Sequence, residues 1–304
     1  MKMKKALSDK YVEQLYGIFE SKSWNVQELG KYSVFDRFCE RLAELENDNQ
    51  RDLVMELTED FLWINSSMYE RCLLSAFHKL FQDESWNPEK GKNICICPLL
   101  PERKFGEVKS STFMLYFCQS ILLRTYTEFQ DEQVRICETP EVLKEKKYRD
   151  NIDSIILIDD FIGSGETALE SLAYLEFLRQ EGKKIYILAL VAQKQGMENV
   201  RSEGIPVFAD IVREKGISDK FESEEAGQKL DEMKKISKLL HVPKELSLGY
   251  LDSESLVAMN KTPNNTFPVY WHEGKGHSHA PFPRRENVKM IRTEKREEKN
   301  EGTD

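Results

Sequence analysis

The sequence predicts an α/β protein: a parallel-sheet, Rossmann-like core preceded by a helical extension. Three observations carry this. Ile155-Ile156-Leu157-Ile158 and residues 185–192, which follow Lys184, are uninterrupted apolar runs, the pattern of strands buried on both faces. They alternate with amphipathic stretches in the order strand, helix, strand, helix, strand, which implies parallel pairing through right-handed crossovers. Ahead of them, residues 1 to about 84 carry apolar side chains at helical spacing.

The elements follow in order. Tyr11, Leu15, Ile18 and Phe19 share one helix face. So do Phe35, Phe38, Leu42 and Leu45, then Leu53, Leu57, Phe61 and Leu62, then Tyr69, Leu73 and Phe77. Trp86-Asn87-Pro88 breaks the pattern, since proline cannot continue a helix. Asn93 to Leu99 reads as a first strand, and a polar loop, Pro101 to Ser111, leads to a helix from Thr112. Val134 to Cys137 reads as a short strand, and Lys144 to Asp150 as an exposed charged connection. The strand ending at Asp159-Asp160 comes next, followed by a helix over Ala168 to Arg179. Residues 184–192 form a strand, 197–203 a short helix and 205–212 another strand. Lys215 to Leu240 is polar and helix-like, Gly249 to Met259 a turn plus an edge strand, and Thr262 to Pro268 a turn-rich loop ahead of Trp271. The expected division is a helical extension over 1–88, an α/β domain over 89–286 and a charged, disordered tail over 287–304.

Bulk properties set limits. A chain of 304 residues holds one large domain, or one domain plus an extension. A formal charge of −9 and a pI near 5.4 argue against a nucleic-acid-coating protein, so no direct nucleic-acid binding is expected. No apolar run reaches the ~18 residues that span a membrane. The N-terminal lysines resemble those of a signal peptide, but Leu7-Ser8-Asp9-Lys10 replaces its apolar region, so a cytoplasmic protein is the simplest expectation. Most of the six cysteines lie in apolar-periodic segments, as small core residues do. Cys95 and Cys97 point to one strand face, with no second pair at zinc spacing. His272, His277 and His279 cluster in a Gly/Lys/Ser-rich stretch, which reads as a solvated loop or a metal site.

The segment from Ile155 to Thr167 carries the chemistry. Strand, glycine turn and helix start make an anion site, because the first helical N–H groups have no intrahelical partner. Gly163 and Gly165 let backbone curl around a phosphate, and the hydroxyls of Ser164 and Thr167 can donate to it. No lysine stands where a P-loop needs one, and the acids precede the loop rather than following it by about 20 residues as in a dinucleotide site. Asp159 and Asp160 are therefore placed to reach the hydroxyls of a sugar whose 5′-phosphate sits in the loop.

This arrangement resembles the signature of the type I phosphoribosyltransferases: hydrophobic strand, two acids, two apolar residues and a small loop ending in threonine. The resemblance implies a type I phosphoribosyltransferase-like fold and a site for phosphoribosyl pyrophosphate or another ribose 5-phosphate compound. Asp159 and Asp160 would contact the ribose hydroxyls as catalytic residues and hold Mg²⁺ through those hydroxyls or water. Phe161, Ile162, Gly163, Ser164, Gly165, Glu166 and Thr167 would hold the 5′-phosphate. Lys104 and Lys109, in the loop where the superfamily binds pyrophosphate, are the candidates for that group, although the loop lacks the usual glycine pair; Lys194 and Arg213 follow other strands at the same sheet end. Leu248 to Ser253, Thr262-Pro263-Asn264-Asn265-Thr266, Trp271 and Pro281-Phe282-Pro283-Arg284 narrow the match. Together they resemble the phosphoribosyltransferase-like domain found beside bacterial conflict and antiphage systems, PRTase-CE. That implies an effector or accessory enzyme with partner proteins encoded nearby. A catalytically inactive sensor of the same ligands, and a nucleosidase-like hydrolase, stay open, as does a homo-oligomer.

Overall fold

The computed structural model of the protein describes residues 6–26, 33–86, 93–105, 110–122 and 133–284. Helices α1 (Asp9–Ser21), α2 (Val34–Glu44) and α3 (Asp48–Glu59) come first. Their starts are written in the chain. Ser33 and Asp36 exchange hydrogen bonds in a capping box at α2, and the Asn47 side chain accepts the Gln50 N–H at α3. Strand β1 (Leu62–Trp63) and helix α4 (Ser66–Phe81) follow. Then come β2 (Asn93–Pro98), α5 (Ser110–Phe117), β3 (Gln133–Ile136) and α6 (Lys146–Arg149). The motif strand is β4 (Ser154–Ile162), succeeded by α7 (Glu166–Tyr174) and α8 (Glu176–Gln180). Next are β5 (Lys184–Gln193), α9 (Lys194–Arg201) and β6 (Val207–Arg213). Last come α10 (Ser223–Leu239) and β7 (Val257–Ala258).

Strands β3, β2, β4, β5 and β6 lie in that order in one sheet, every pair parallel. The expected strands are all present. The expected helix after the acids breaks at Leu175 into α7 and α8, and Leu62–Trp63, expected within a helix, instead pair in parallel with β7. The buried runs are explained by the two faces they serve. Ile94, Ile96, Ile156, Ile158 and Leu188 pack under α4 and α5. Their odd-numbered neighbours Cys95, Cys97, Ile155, Leu157 and Ile187 pack under α7, α8 and α9. A period of two fills both layers only when every residue is apolar.

A third core joins sequence-distant parts. Tyr11, Leu15, Phe19, Phe38 and Phe61 of the helical extension pack with Met233, Phe267, Tyr270 and Phe282. The Phe38 ring lies edge-on to those of Phe19, Tyr270 and Phe282. Arg41, only 1% exposed, donates through Nη2 to the carbonyls of His272 (2.8 Å) and Ser278 (3.1 Å). The boundary expected at 88/89 therefore divides the chain in sequence, while the extension and residues 217–282 share one packed interior. Three amphipathic helices cannot bury their apolar stripes alone, and the C-terminal segment supplies the opposing layer. The expected tail, 287–304, lies outside the described residues.

Phe38→Ala should therefore cost about 3–5 kcal/mol, the usual loss for a buried phenylalanine. Denaturant unfolding should remain one transition, coincident by circular dichroism and fluorescence. Two separated transitions would show that the extension folds independently of the sheet.

Candidate functional site

The chain changes sheet face between β2 and β4. Helix α5 covers one side after β2, and α7 the other after β4. In such sheets a crevice opens beyond the strand carboxyl ends at this switch point. A cavity of about 330 Å³ lies there. Leu99, Arg103 and Lys104 line it from the segment after β2, and Asp159 and residues 161–168 from β4 and its loop. Tyr250, Asn264, Asn265 and Arg284 close it from the C-terminal segment.

The loop is shaped by close backbone approaches. Gly165 takes φ +89°, the left-handed region open to glycine, and sits directly ahead of α7. A Cβ on Gly196, in the first turn of α9, would lie 1.9 Å from the Gly163 carbonyl oxygen and 3.0 Å from the Gly165 nitrogen. A Cβ on Gly163 would lie 2.3 Å from the Asn265 side chain. Asn199 Nδ2 donates to the Ser164 carbonyl at 3.0 Å, fixing the loop from the same helix. The loop is thus held between α9 and the C-terminal cap before any ligand arrives.

Adjacent strand residues point to opposite faces, and this divides the acid pair. Asp159 lines the cavity; its Oδ1 accepts the Asp160 N–H at 2.8 Å and the Ser110 hydroxyl at 3.3 Å. Asp160 is 6% exposed and turns toward α4, where Tyr69 donates to its Oδ2 at 2.9 Å. The Tyr69 oxygen accepts in turn from the Asn260 N–H at 3.2 Å. Burial and the Asp160 charge push the Tyr69 hydroxyl above its ordinary range. Although Asp159 opens partly to the cavity, burial of its carboxyl and then the Asp160 charge push it well above the usual carboxylate range.

Of the other expected site residues, Phe161 to Thr167 all line the cavity, and Lys104 joins them. Lys109 lies outside the described residues. Lys194 pairs with Glu214 at 3.0 Å, and Arg213 Nη2 donates to the Asp60 carbonyl at 2.5 Å; neither lines the cavity. Sequence reasoning did not assign Arg103, Tyr250, Asn264, Asn265 or Arg284 to the site. Arg103 forms a two-point pair with Glu170, and Tyr250 donates to Glu166 at 2.7 Å. Arg284 Nη1 donates to the Thr262 carbonyl at 2.7 Å, which holds the PFPR end against the TPNNT segment. Both segments stand out in the sequence, but nothing in one sequence says which loop they cover. The histidines lie elsewhere. His277 Nδ1 donates to Glu44 at 2.5 Å and its Nε2 lies 2.8 Å from His241, while His279 pairs with Glu273.

The lining combines Arg103, Lys104 and Arg284 with a glycine loop at a helix start, and sets two carboxylates beside them, Asp159 at the strand end and Glu166, which accepts from Tyr250. Such a lining suits an anion that also carries hydroxyl groups. Sheet order, switch-point cavity and loop define a type I phosphoribosyltransferase-like protein. The PRTase-CE family model matches residues 38–284, and the chain belongs to that family. No curated protein matches the chain. Among solved structures it is similar to the orotate phosphoribosyltransferase from Aeropyrum pernix, at 14% identity and a TM-score of 0.29, over 48% of this chain and 70% of that one. Among the described residues, no helix is long and apolar enough to cross a membrane.

Asp159→Asn tests the electrostatics, because an amide oxygen can keep both hydrogen bonds while removing the charge. A carboxyl whose folded pKa is raised contributes stability that is fully present below the unfolded value, about 3.9, and lost as pH rises toward the folded one. The variant should therefore melt above wild type at neutral pH, by a margin that shrinks as pH falls toward 4. A variant less stable than wild type at pH 7 would contradict this account of Asp159.

Proposed function

We propose that the protein binds phosphoribosyl pyrophosphate, or a related ribose 5-phosphate compound, and transfers the phosphoribosyl group. The observation that carries this reading is the glycine loop, clamped by Gly196 and Asn265, opening into the same cavity as the Asp159 carboxylate. The 5′-phosphate occupies the loop over residues 163–167, against N–H groups at the start of α7 and the hydroxyls of Ser164 and Thr167. Asp159 accepts the ribose hydroxyls. Asp160 acts at one remove, holding β4 to α4 through Tyr69.

Transfer breaks the C1′–oxygen bond to pyrophosphate and forms a bond from C1′ to the acceptor, and positive charge develops on the sugar ring as the first bond loosens, as in glycoside hydrolysis. A carboxylate beside the ring stabilises that charge. Lys104 and Arg103, following β2, are the cations nearest in sequence to the leaving group's expected place. Mg²⁺ fits this donor set, since it takes oxygen ligands and is usually held by one or two carboxylates together with substrate phosphates; Asp159 is the residue that would hold it. Bound there, it would neutralise charge on the pyrophosphate. The setting we infer is bacterial antiphage defence, as an effector or accessory enzyme working with partner proteins; the family resemblance supports this.

Calorimetry separates transfer from sensing. Phosphoribosyl pyrophosphate should bind at least tenfold more tightly with Mg²⁺ than without, and ribose 5-phosphate should be nearly indifferent to the metal. Asp159→Asn should abolish pyrophosphate release. Tight monophosphate binding with no Mg²⁺ effect and no pyrophosphate release would instead make the protein a sensor.

A further inference from the structure

Beyond the phosphate cavity, the two sulfurs of β2 that share a face meet a third. Cys95 and Cys97 stand two positions apart, on either side of Ile96, and project together toward the α7 side of the sheet. The register of β2 with β3 aligns Ile96 with Ile136, which brings the next residue, Cys137, level with Cys97. The Cys137 N–H donates to the Ile96 carbonyl at 3.0 Å and fixes that alignment. The sulfurs turn toward one another: Cys95 Sγ lies 3.0 Å from Cys137 Sγ and 3.4 Å from Cys97 Sγ. Among the described residues, this is the group of three His, Cys, Asp or Glu side chains whose ligand atoms all lie within 4.8 Å of one another.

We propose that Cys95, Cys97 and Cys137 form a three-thiolate site for a thiophilic d¹⁰ cation, Zn²⁺ or Cu⁺. Thiolates select these soft ions over Mg²⁺ or Ca²⁺. Three sulfurs about 2.3 Å from one zinc ion stand roughly 3.8 Å apart, so sub-ångström side-chain shifts from the positions seen would admit the ion. Cys95 and Cys97 are fully buried, whereas Cys137 is half-buried and gives the ion a way in. No oxidation is involved: the ion replaces thiol protons, which pass to solvent. The position gives the ion a structural effect. Strand β3 lies at the sheet edge and pairs with β2 alone, so a shared ion fastens it there. Leu99, two residues after Cys97, lines the phosphate cavity, and the same fastening steadies the strand that leads into it.

The test uses the full chain, reduced and stripped with a chelator, then titrated separately with Zn²⁺ and with Cu⁺ against a chromophoric competitor. Co²⁺ serves as an optical probe. One ion per chain should bind, with a thiolate-to-cobalt charge-transfer band and a raised melting temperature; the metal content of the chain as isolated, before stripping, identifies which d¹⁰ ion occupies the site. Cys137→Ser, at the half-buried position, should lose at least 100-fold in affinity, and Cys39→Ser should lose none. Should Cys137→Ser fail to fold, alkylation of the wild-type chain gives the answer. The bound ion should protect Cys137, the half-buried member of the site, while Cys39 stays as reactive as in the stripped chain. Retention of neither ion, unchanged affinity in Cys137→Ser, or no protection from alkylation would overturn the proposal. So would a chain that takes up no metal and is isolated with these cysteines in a disulfide.

Discussion

The site depends on one close approach: the Gly163 carbonyl oxygen packs where any side chain at position 196 would have to be, with 1.9 Å left for a Cβ. Gly196 stands at the start of α9, directly after β5, and Gly163 directly after β4. The contact therefore locks the ends of two neighbouring strands together at the sheet's carboxyl edge. Gly165 completes it, since a Cβ there would meet the Gly196 carbonyl at 2.8 Å. Glycine at all three positions lets the loop close down on helix α9 without a ligand. A preorganised loop has less conformational entropy to lose when an anion binds.

From that contact the rest of the site is assembled outward. Asn265 packs on the other side of Gly163, and its own carbonyl presses on Gly249, which takes φ +82°. Asn265 Nδ2 donates to the Ser253 hydroxyl at 3.2 Å, and Gln193 Nε2, at the end of β5, donates to the Ser253 carbonyl at 2.9 Å. The cap is thus tied both to the loop and to the strand beneath it. The same cap packs through Phe267, Tyr270 and Phe282 against the N-terminal helices. The helical extension is consequently connected to the cavity: it supports the segment that delivers Asn264, Asn265 and Arg284. A family element remote in sequence from the signature strand can in this way govern access to it.

Much of this was legible in the chain. The buried strands could be read from their apolar runs, and the loop from its glycines, because both depend on local composition and period. The acid pair was legible as a pair but not as two roles. Alternation along a strand predicts opposite faces for Asp159 and Asp160, yet only packing decides which face holds Tyr69 and which the cavity. The cap was visible only as two unusual segments, since Asn265 reaches Gly163 across about a hundred residues of intervening chain. Gly196 gave no sign at all, being one glycine in a short amphipathic helix whose neighbour is set by tertiary contact. The three-cysteine cluster was half legible: the shared face of Cys95 and Cys97 follows from strand period, but the arrival of Cys137 depends on the register of β2 with β3.

The most direct measurement is the affinity of ribose 5-phosphate for wild type and for Gly196→Ala, by calorimetry, with circular dichroism confirming that the variant is folded. A single methyl at position 196 cannot coexist with the Gly163 carbonyl where it now stands, so the loop must move. The account predicts binding at least tenfold weaker in a chain that keeps its secondary structure. Equal affinity in a folded Gly196→Ala variant would mean that the phosphate is held somewhere other than this loop.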